Sequence, residues 1–462
     1  MKRDDILELT IEKTGFEGKS IARLDDFVVF VEGGVPGDLV RAQVYKKKKN
    51  FAEAKILDVL ERSVHRVQPQ CNHFGICGGC KWQQLEYGEQ LKWKREHVID
   101  SFERIGGVTN VVVHPTLPSP NRFYYRNKME YTFGEKRWRL PNEAEGAFHE
   151  DAFTVGLHVP MRYDKILHID ACWLQSEQSN AILAFTRAYF LERERTAYST
   201  KTYSGDLRHV VIREAKKTGE SMLFLITTNT PKEIVEDFGE KLRRAFPSLT
   251  TYVHGWTQRK SLVAIAEEEH VVFGPGKIQE QLGDCTYEIS PMSFFQANTL
   301  QAERLYEVAM QFTEPKPEDV VWDLYCGIGT ITLFIAPHVQ SVLGIESNPD
   351  AIRDARRNAE SNAIHNVEFQ CDDILQFLKR KEHRVAPDVI ILDPPRAGLH
   401  PEVVAEIGMT EVKRLVYVSC NPATCARDVK LFAEHGFSVV EVQPVDMFPH
   451  TYHIECVVKL QR

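Results

Sequence analysis

Short apolar runs alternate with helical stretches in the C-terminal third of the chain, and this alternation constrains the fold more than any other feature. From about residue 318, four apolar runs each end in small or polar residues: VVWDLY, VLGIE, VIILDPP and RLVYVSC. Helical patterns such as PDAIRDARRNAESN and PEVVAEIGMTEVKR separate them. Strands that alternate with helices predict an α/β fold, a doubly wound Rossmann-like parallel sheet. Ligands bind such sheets at the carboxyl ends of the strands.

The first 62 residues follow a different pattern. Stretches such as ILELTIEK and FVVFVEG alternate apolar and polar residues, and glycines punctuate them. This predicts a small OB-like β-barrel. Residues 15–22 (GFEGKSIA) and 35–38 (VPGD) resemble the TRAM domain, an RNA-binding barrel. The four lysines at 46–49 suit phosphate contacts, with a solvated hairpin turn as the alternative.

Length and charge bound the organisation of the chain. At roughly 100–200 residues per domain, 462 residues suit several domains. We expect the barrel at 1–62, a mixed α+β domain at 63–285 and the Rossmann-like domain at 286–462, with helix 85–105 packed on the last of these. The net charge of −8 argues against a uniformly basic nucleic-acid binder, yet it permits local basic patches. Without a secretory signal or a membrane-length apolar run, we expect a cytoplasmic monomer that does not contact membranes.

Segment 121–139, NRFYYRNKMEYTFGEKRWR, interleaves basic and aromatic residues. This composition suits a strand pair that binds phosphates and stacks on RNA bases. An amphipathic hairpin with its aromatic residues turned inward explains the same pattern. The segment therefore supports RNA binding without establishing it.

A cofactor site is predicted where the first two strands of the Rossmann-like domain end. Gly327 and Gly329 lie between a predicted strand and a helix, where glycine lets the backbone approach a ligand. Glu346 ends the next strand and can accept hydrogen bonds from ribose hydroxyls. This arrangement serves NAD as well as S-adenosylmethionine. The DPP motif that begins at Asp393 discriminates between them, because it looks like the substrate motif of nucleic-acid methyltransferases.

Cys420 is the candidate nucleophile, at the end of a predicted strand and before Asn421 and Pro422. A lone cysteine is more often a packing residue, but the neighbouring motifs favour chemistry. Uracil C5 is too poor a nucleophile to attack a methyl sulfonium directly, whereas a thiolate that adds to C6 activates it. A base must then remove the C5 proton. Glu455 is the candidate, although its alternating context also fits an ordinary surface glutamate.

The C-terminal block resembles the RNA 5-methyluridine methyltransferases. The matching stretches, in chain order, are SFFQAN, DLYCGIGT, GIE, DPPRAG, YVSCNP and HTYHIE. The resemblance implies that Gln296, Tyr325, Glu346 and Asp393 line the site of the cofactor and target base. It also implies that Cys420 is the nucleophile and Glu455 the base.

A group of cysteines lies between the two recognised domains. Cys71, Cys77 and Cys80 are closely spaced, and Cys172 can supply a fourth thiolate. Sulfur-only ligands suit zinc or an iron–sulfur cluster, and the spacing alone does not separate them. C-x5-CGGC with a distant CxLQ resembles the 4Fe–4S site of the ribosomal-RNA branch of this family. The resemblance thus implies a structural or RNA-positioning 4Fe–4S cluster.

These observations favour a uracil-C5 methyltransferase that acts on 23S rRNA, with S-adenosylmethionine as methyl donor. Three alternatives stay open at the level of sequence: a tRNA uracil-C5 methyltransferase, a methyltransferase of an exocyclic base nitrogen, and an RNA-binding protein with an inert methyltransferase fold. Methyltransferases of an exocyclic nitrogen need no thiol nucleophile. A catalytic role for Cys420 therefore favours a uracil-C5 methyltransferase over them.

Overall fold

The computed structural model describes residues 1–138, 153–160, 162–380 and 385–462. The N-terminal strands close into a barrel in the order β1-β2-β3-β5-β4. Alternate residues such as Leu9, Ile11, Val29 and Val31 fill its interior, as the period of two predicts. Its strands are β1 (Ile6–Thr14), β2 (Ser20–Leu24), β3 (Phe27–Glu32), β4 (Leu39–Lys47) and β5 (Phe51–Glu61).

The lysine run is partly engaged within the barrel. Lys46 pairs with Glu53 at 2.5 Å, and Lys47 Nζ donates to the main-chain oxygen of Met1 at 2.7 Å. Lys48 and Lys49 are exposed. Lys48 and Lys49 can therefore contact a phosphate freely, whereas Lys46 and Lys47 would first have to break their contacts within the barrel.

After the barrel, the chain adds a helix and a short strand to the C-terminal domain. Val98 and Phe102 belong to the same buried cluster as Val442 and Cys456. The short strand pairs with the last-but-one strand of the chain, and a π-helical turn extends the helix to Gly106. The elements are α1 (Tyr87–Ser101) and β6 (Val112–Val113).

The central region is a sheet with two helices on one face. Its described strands run in the order β13-β12-β11-β10-β7-β8-β9. Aromatic and aliphatic side chains such as Tyr131, Phe190 and Phe238 form the core between sheet and helices. The elements are β7 (Lys128–Gly134), β8 (Thr154–Val159), β9 (Arg162–His168), α2 (Glu177–Glu192), β10 (Leu207–Glu214), β11 (Ser221–Thr227), α3 (Lys232–Ala245), β12 (Thr251–Trp256) and β13 (Glu268–Phe273).

The basic and aromatic segment does not form a strand pair. Within 121–138 only β7 is a strand, and its neighbours are β8 and β10. Tyr131 and Phe133 are buried in the core, so the inward-aromatic alternative applies to them. Arg139 lies outside the described residues.

The C-terminal sheet has the Rossmann-like topology that the sequence predicts. Its described strands run in the order β18-β17-β16-β19-β20-β22-β21-β6, with β22 antiparallel to both neighbours. A hairpin, β14-β15, precedes it and contributes Ile278 and Tyr287 to the hydrophobic core of the C-terminal domain. The elements are β14 (Ile278–Leu282), β15 (Cys285–Ile289), α4 (Thr299–Thr313), β16 (Val320–Leu324), α5 (Thr330–Ile335), β17 (Ser341–Glu346), α6 (Pro349–Ser361), β18 (Val367–Cys371), α7 (Ile374–Lys379), β19 (Val389–Leu392), α8 (Pro401–Gly408), β20 (Arg414–Ser419), α9 (Pro422–Ala433), β21 (Ser438–Val445) and β22 (Glu455–Gln461).

Two details differ from the sequence pattern. The predicted helical stretch 401–414 ends at Gly408, where Thr410 Oγ1 caps the main-chain oxygen of Ile407 at 2.7 Å. Segments α1, β6, β14 and the first residue of β15 lie inside the range 63–285 yet pack on the C-terminal domain. The division at residues 62 and 285 stays a prediction.

None of the described helices combines the length and apolarity that crossing a bilayer requires.

Candidate active site

One edge of the C-terminal sheet collects most of the predicted site residues. Tyr325 follows β16, Glu346 ends β17, and Asp393 follows β19. Cys420 follows β20, and Glu455 begins β22. Because Ser419 pairs with Cys456 across β20 and β22, Cys420 and Glu455 lie one step beyond that pair on adjacent strands.

The cofactor side of this edge is a pocket of about 310 Å³. Gly327 and Gly329 have φ values of 57° and 82°, a left-handed conformation that glycine adopts without strain. Tyr325 also has a left-handed φ, of 71°, and its side chain lines the pocket. Burial raises the pKa of Tyr325 to about 12, so its hydroxyl stays protonated. The pocket is lined by Tyr325, Ser347, Asp373, Ile374, Leu375, His400 and Val403.

Acidic residues lie at the ends of the next two strands, and one of them, Asp373, lines the pocket. Glu346 Oε1 accepts hydrogen bonds from the main-chain nitrogen of Asn348 at 2.8 Å and from Ser347 Oγ at 3.1 Å. Both bonds end on Oε1, and no hydrogen bond to Oε2 is formed within the described residues. Asp372 is instead paired with Arg380, and Asp373 caps α7 through the main-chain nitrogen of Gln376 at 3.0 Å.

Asp323 is a buried acid that the sequence analysis did not single out. Its Oδ2 accepts a hydrogen bond from Thr332 Oγ1 at 2.6 Å, whereas its Oδ1 has no partner in the described part of the chain. Burial raises the pKa of Asp323 to about 6. An unsatisfied buried oxygen costs free energy. Asp323 Oδ1 is therefore a further candidate acceptor near the glycine turn of the cofactor site.

Cys420 lies beside a guanidinium group. Burial raises the pKa of its thiol to about 11, with further increases from Glu455 and Asp393, whereas Arg396 lowers it by charge and by a hydrogen bond. Arg396 Nη2 also lies 3.3 Å from His453 Nδ1. The guanidinium is therefore the local group that favours the thiolate over the thiol.

Glu455 is buried, with only 4% of its surface exposed, so it is not an ordinary surface glutamate. Burial raises its pKa to about 7, although Arg396 opposes the rise. Burial also holds the pKa of Asp393 well above its usual range, followed by the charges of Glu455 and Asp323. A carboxyl group that titrates near neutrality can exchange a proton with a substrate at working pH.

Gln296 reaches this region from outside the sheet. It is buried immediately before α4, and its main-chain oxygen accepts a hydrogen bond from Asn127 Nδ2 at 2.7 Å. Asn298 caps α4, and its amide nitrogen donates to the main-chain oxygen of Met447 at 3.1 Å. The central region therefore holds the Gln296 segment against the loop that precedes Glu455.

The four predicted cluster cysteines converge on a second, largely apolar cavity. Cys71, Cys77, Cys80 and Cys172 all line it and are free thiols. Burial raises the pKa of Cys77 to about 11 and that of Cys80 to about 12, and the other cysteines raise them further. Within the described ranges, no three His, Cys, Asp or Glu residues are close enough to hold a single metal ion. The cavity thus brings the four cysteines of the predicted cluster to one place in the fold.

The parallel sheet, its glycine turn and the acid that ends β17 define a Rossmann-like fold with a site for NAD or S-adenosylmethionine. Two families match the chain: tRNA (uracil-5-)-methyltransferase over residues 236–462 and the TRAM domain over residues 3–57. The chain belongs to the tRNA (uracil-5-)-methyltransferase family and is an S-adenosylmethionine-dependent RNA uracil-C5 methyltransferase with a TRAM domain.

Similar proteins span the whole chain. An uncharacterized RNA methyltransferase of Chlorobaculum tepidum is 39% identical, covering 100% of this chain and 97% of its own. One from Bacteroides thetaiotaomicron is 41% identical, covering 96% and 99%. Among solved structures, the Pyrococcus abyssi tRNA (uracil-54, C5)-methyltransferase in complex with S-adenosyl-L-homocysteine has a TM-score of 0.76 and 29% identity, covering 98% of this chain and 100% of its own.

Proposed function

We propose that Cys420 and Glu455 carry out the methylation of uracil C5 by covalent catalysis. The Cys420 thiolate adds to C6, and the electrons gained by the ring make C5 nucleophilic. S-adenosylmethionine supplies an electrophilic methyl group, and C5 takes it. Glu455 then removes the C5 proton, and the thiolate leaves as the double bond re-forms. The observation that carries this proposal is the buried carboxyl of Glu455 beside the thiol on the next strand.

Four further residues receive roles in this proposal. Glu346 binds the ribose hydroxyls of the cofactor through its free oxygen, and the ring of Tyr325 packs in the cofactor pocket. Gln296 and Asp393 face the target base and the donor methyl group. Burial raises the pKa of Asp393 well above its usual range, which favours the protonated form that donates a hydrogen bond to a carbonyl oxygen of uracil.

RNA that contains 5-fluorouridine tests the covalent route. Glu455 cannot remove fluorine, so a methylated protein–RNA complex should accumulate and survive denaturing electrophoresis. Wild-type protein with uridine RNA is the matched control and should turn over. A lack of adduct under conditions where uridine RNA is methylated would reject the mechanism and favour transfer to a base nitrogen.

We propose 23S rRNA as the substrate. The support is the group of four cysteines beside a TRAM barrel, the combination that resembles the ribosomal-RNA branch. The test compares 23S rRNA and tRNA from a deletion strain as acceptors of labelled methyl groups. Label in 23S rRNA alone supports the proposal, and mapping of 5-methyluridine then locates the site.

A tRNA substrate is the second candidate. It is favoured by the Pyrococcus abyssi tRNA (uracil-54, C5)-methyltransferase, which matches 98% of this chain. The same experiment decides between them, because label in tRNA alone would reject the ribosomal assignment.

We further propose that Cys71, Cys77, Cys80 and Cys172 hold a 4Fe–4S cluster. Four thiols around one cavity suit a cluster, which spreads its ligands further apart than a single ion does. Iron and sulfide analysis of anaerobically purified protein, with visible absorbance, tests this. Zinc without sulfide would reject it. A Cys80→Ser variant should lose iron while a Cys285→Ser variant retains it.

A further inference from the structure

The loop at residues 446–454 joins β21 to β22 and leads directly into Glu455. Val445 and Glu455 are the last paired residues of the two strands. Asp446 is therefore one step from Glu455 across the hairpin. Asp446 directly follows Val445, so its position is linked through one residue to the strand pair that holds the main chain of Glu455.

Asp446 forms a buried ion pair with α1. Lys94 Nζ lies 2.5 Å from Asp446 Oδ1, and both side chains have an exposure of 0%. Lys94 also donates to the main-chain oxygen of Phe448 at 3.0 Å, and Tyr87 donates from its hydroxyl to Asp446 Oδ2 at 2.9 Å. Both carboxylate oxygens are thus occupied, and the loop is held at two points.

The buried face of α1 is polar over two turns. Tyr87, Gln90 and Lys94 recur at helical spacing, and each contacts the same loop or its first residue. Gln90 Oε1 accepts a hydrogen bond from the main-chain nitrogen of His450 at 2.9 Å. Burying an ion pair costs desolvation free energy that an apolar pair avoids, so such a pair is weak evidence for a role in stability.

We propose that Lys94 and Asp446 are positioning residues for Glu455. They fix the 446–454 loop so that the Glu455 carboxyl meets the C5 hydrogen of the methylated adduct. Neither residue contacts the reacting atoms. This inference rests on the proposed role of Glu455 as the base.

A charge-removal series tests the inference. Lys94→Met and Asp446→Asn alone each leave one buried charge without its partner, and both should lower Tm. The double variant removes both charges, and Asn at 446 keeps an acceptor for Tyr87. Its Tm should return toward the wild-type value, whereas turnover should stay about 100-fold lower, as expected for a displaced catalytic group.

The distinguishing readout is the step that fails. In the double variant, methyl transfer still occurs but the C5 proton is not removed, so a covalent protein–RNA complex should accumulate on ordinary uridine RNA. KM for S-adenosylmethionine should not change. Lys92→Met, an exposed lysine on the same helix, is the matched control and should behave as wild type. Recovery of both Tm and turnover in the double variant would overturn the inference.

Two companion variants keep the outcome decisive. Tyr87→Phe removes the hydrogen bond to Asp446 together with the acceptor of the Ser119 main-chain nitrogen. It should lower turnover by about 10-fold, with weaker accumulation of adduct. An unchanged adduct level in that variant would count against positioning, even if the double variant does not fold. Glu455→Gln should accumulate adduct fully. If Glu455→Gln does not accumulate adduct, Glu455 is not the base. If Glu455→Gln accumulates adduct but the double variant of Lys94 and Asp446 does not, only the positioning role of Lys94 and Asp446 is rejected.

Discussion

The side-chain amide of Asn421 donates a hydrogen bond to the main-chain oxygen of Arg396 over 3.2 Å. Thr424 Oγ1 donates to the same oxygen at 3.2 Å. These two bonds join the loop that follows β19 to the first turn of α9. Because Cys420 precedes Asn421, the joined loops keep the thiol and the Arg396 guanidinium together.

The thiol is expected to be indispensable. Cys420→Ala should reduce methyl transfer to background while S-adenosylmethionine still binds, because the cofactor pocket lies at β16 and β17. Calorimetric titration of the cofactor and a labelled-methyl assay measure the two properties. Cys285→Ala, a thiol on the β14-β15 hairpin, is the control and should retain transfer. Substantial activity in Cys420→Ala would rule out covalent catalysis.

Turnover should depend on pH through Glu455. The base must be deprotonated, and burial raises its pKa to about 7. Multiple-turnover rates should therefore rise between pH 6 and 8 and bend near pH 7. A single-turnover assay of methyl transfer should lack this bend, since transfer precedes proton removal and depends on the Cys420 thiolate. Identical pH profiles in the two assays would contradict the assignment.

The same carboxyl is expected to cost stability. Its folded pKa is raised from 4.5 to about 7, so the folded state binds more protons than the unfolded state in that window. Stability is thus lost as pH rises through the window, and Glu455→Gln should recover about 3 kcal/mol above pH 7 but almost nothing at pH 4. Urea unfolding at both pH values measures the difference. The exposed Glu434→Gln should show no such dependence, and a pH-independent gain in Glu455→Gln would refute the burial argument.

Cofactor affinity is expected to depend on Glu346. Glu346→Ala removes a charged acceptor of the ribose hydroxyls, a loss of about 2 kcal/mol or roughly a 30-fold weaker Kd. Isothermal titration with S-adenosylmethionine measures the change. Glu368→Ala, an exposed acid on the neighbouring strand β18, should leave Kd unaltered. An unchanged Kd in Glu346→Ala would mean that the ribose is held elsewhere.

Local patterns accounted for much of the fold. The apolar runs at β16, β17, β19 and β20 predicted a parallel sheet, and the structure confirms it. The alternation in the first 62 residues predicted the barrel, which is also confirmed. Both patterns report on neighbours within one element, so a single sequence contains them in full.

The same patterns were less informative about which side chains are buried, because burial depends on tertiary packing. Segment 121–138 has the composition of an RNA-binding strand pair, yet Tyr131 and Phe133 face the core of the central sheet. The apolar alternation around Glu455 also fits a surface residue. In the structure, β22 pairs with β20 and β21, and Glu455 is buried. Whether one face of a strand meets water depends on what the rest of the chain places there.

By itself, the sequence predicted the candidate site residues and their order along the chain, because each follows or ends a predicted strand. Cys420, Glu346 and Asp393 were found in this way. Only the tertiary structure decided what surrounds them. Lys94 meets Asp446 across 352 positions, and Asn127 meets Gln296 across 169. Such pairs form because packed elements bring distant residues into contact, and no periodicity along the chain encodes that meeting.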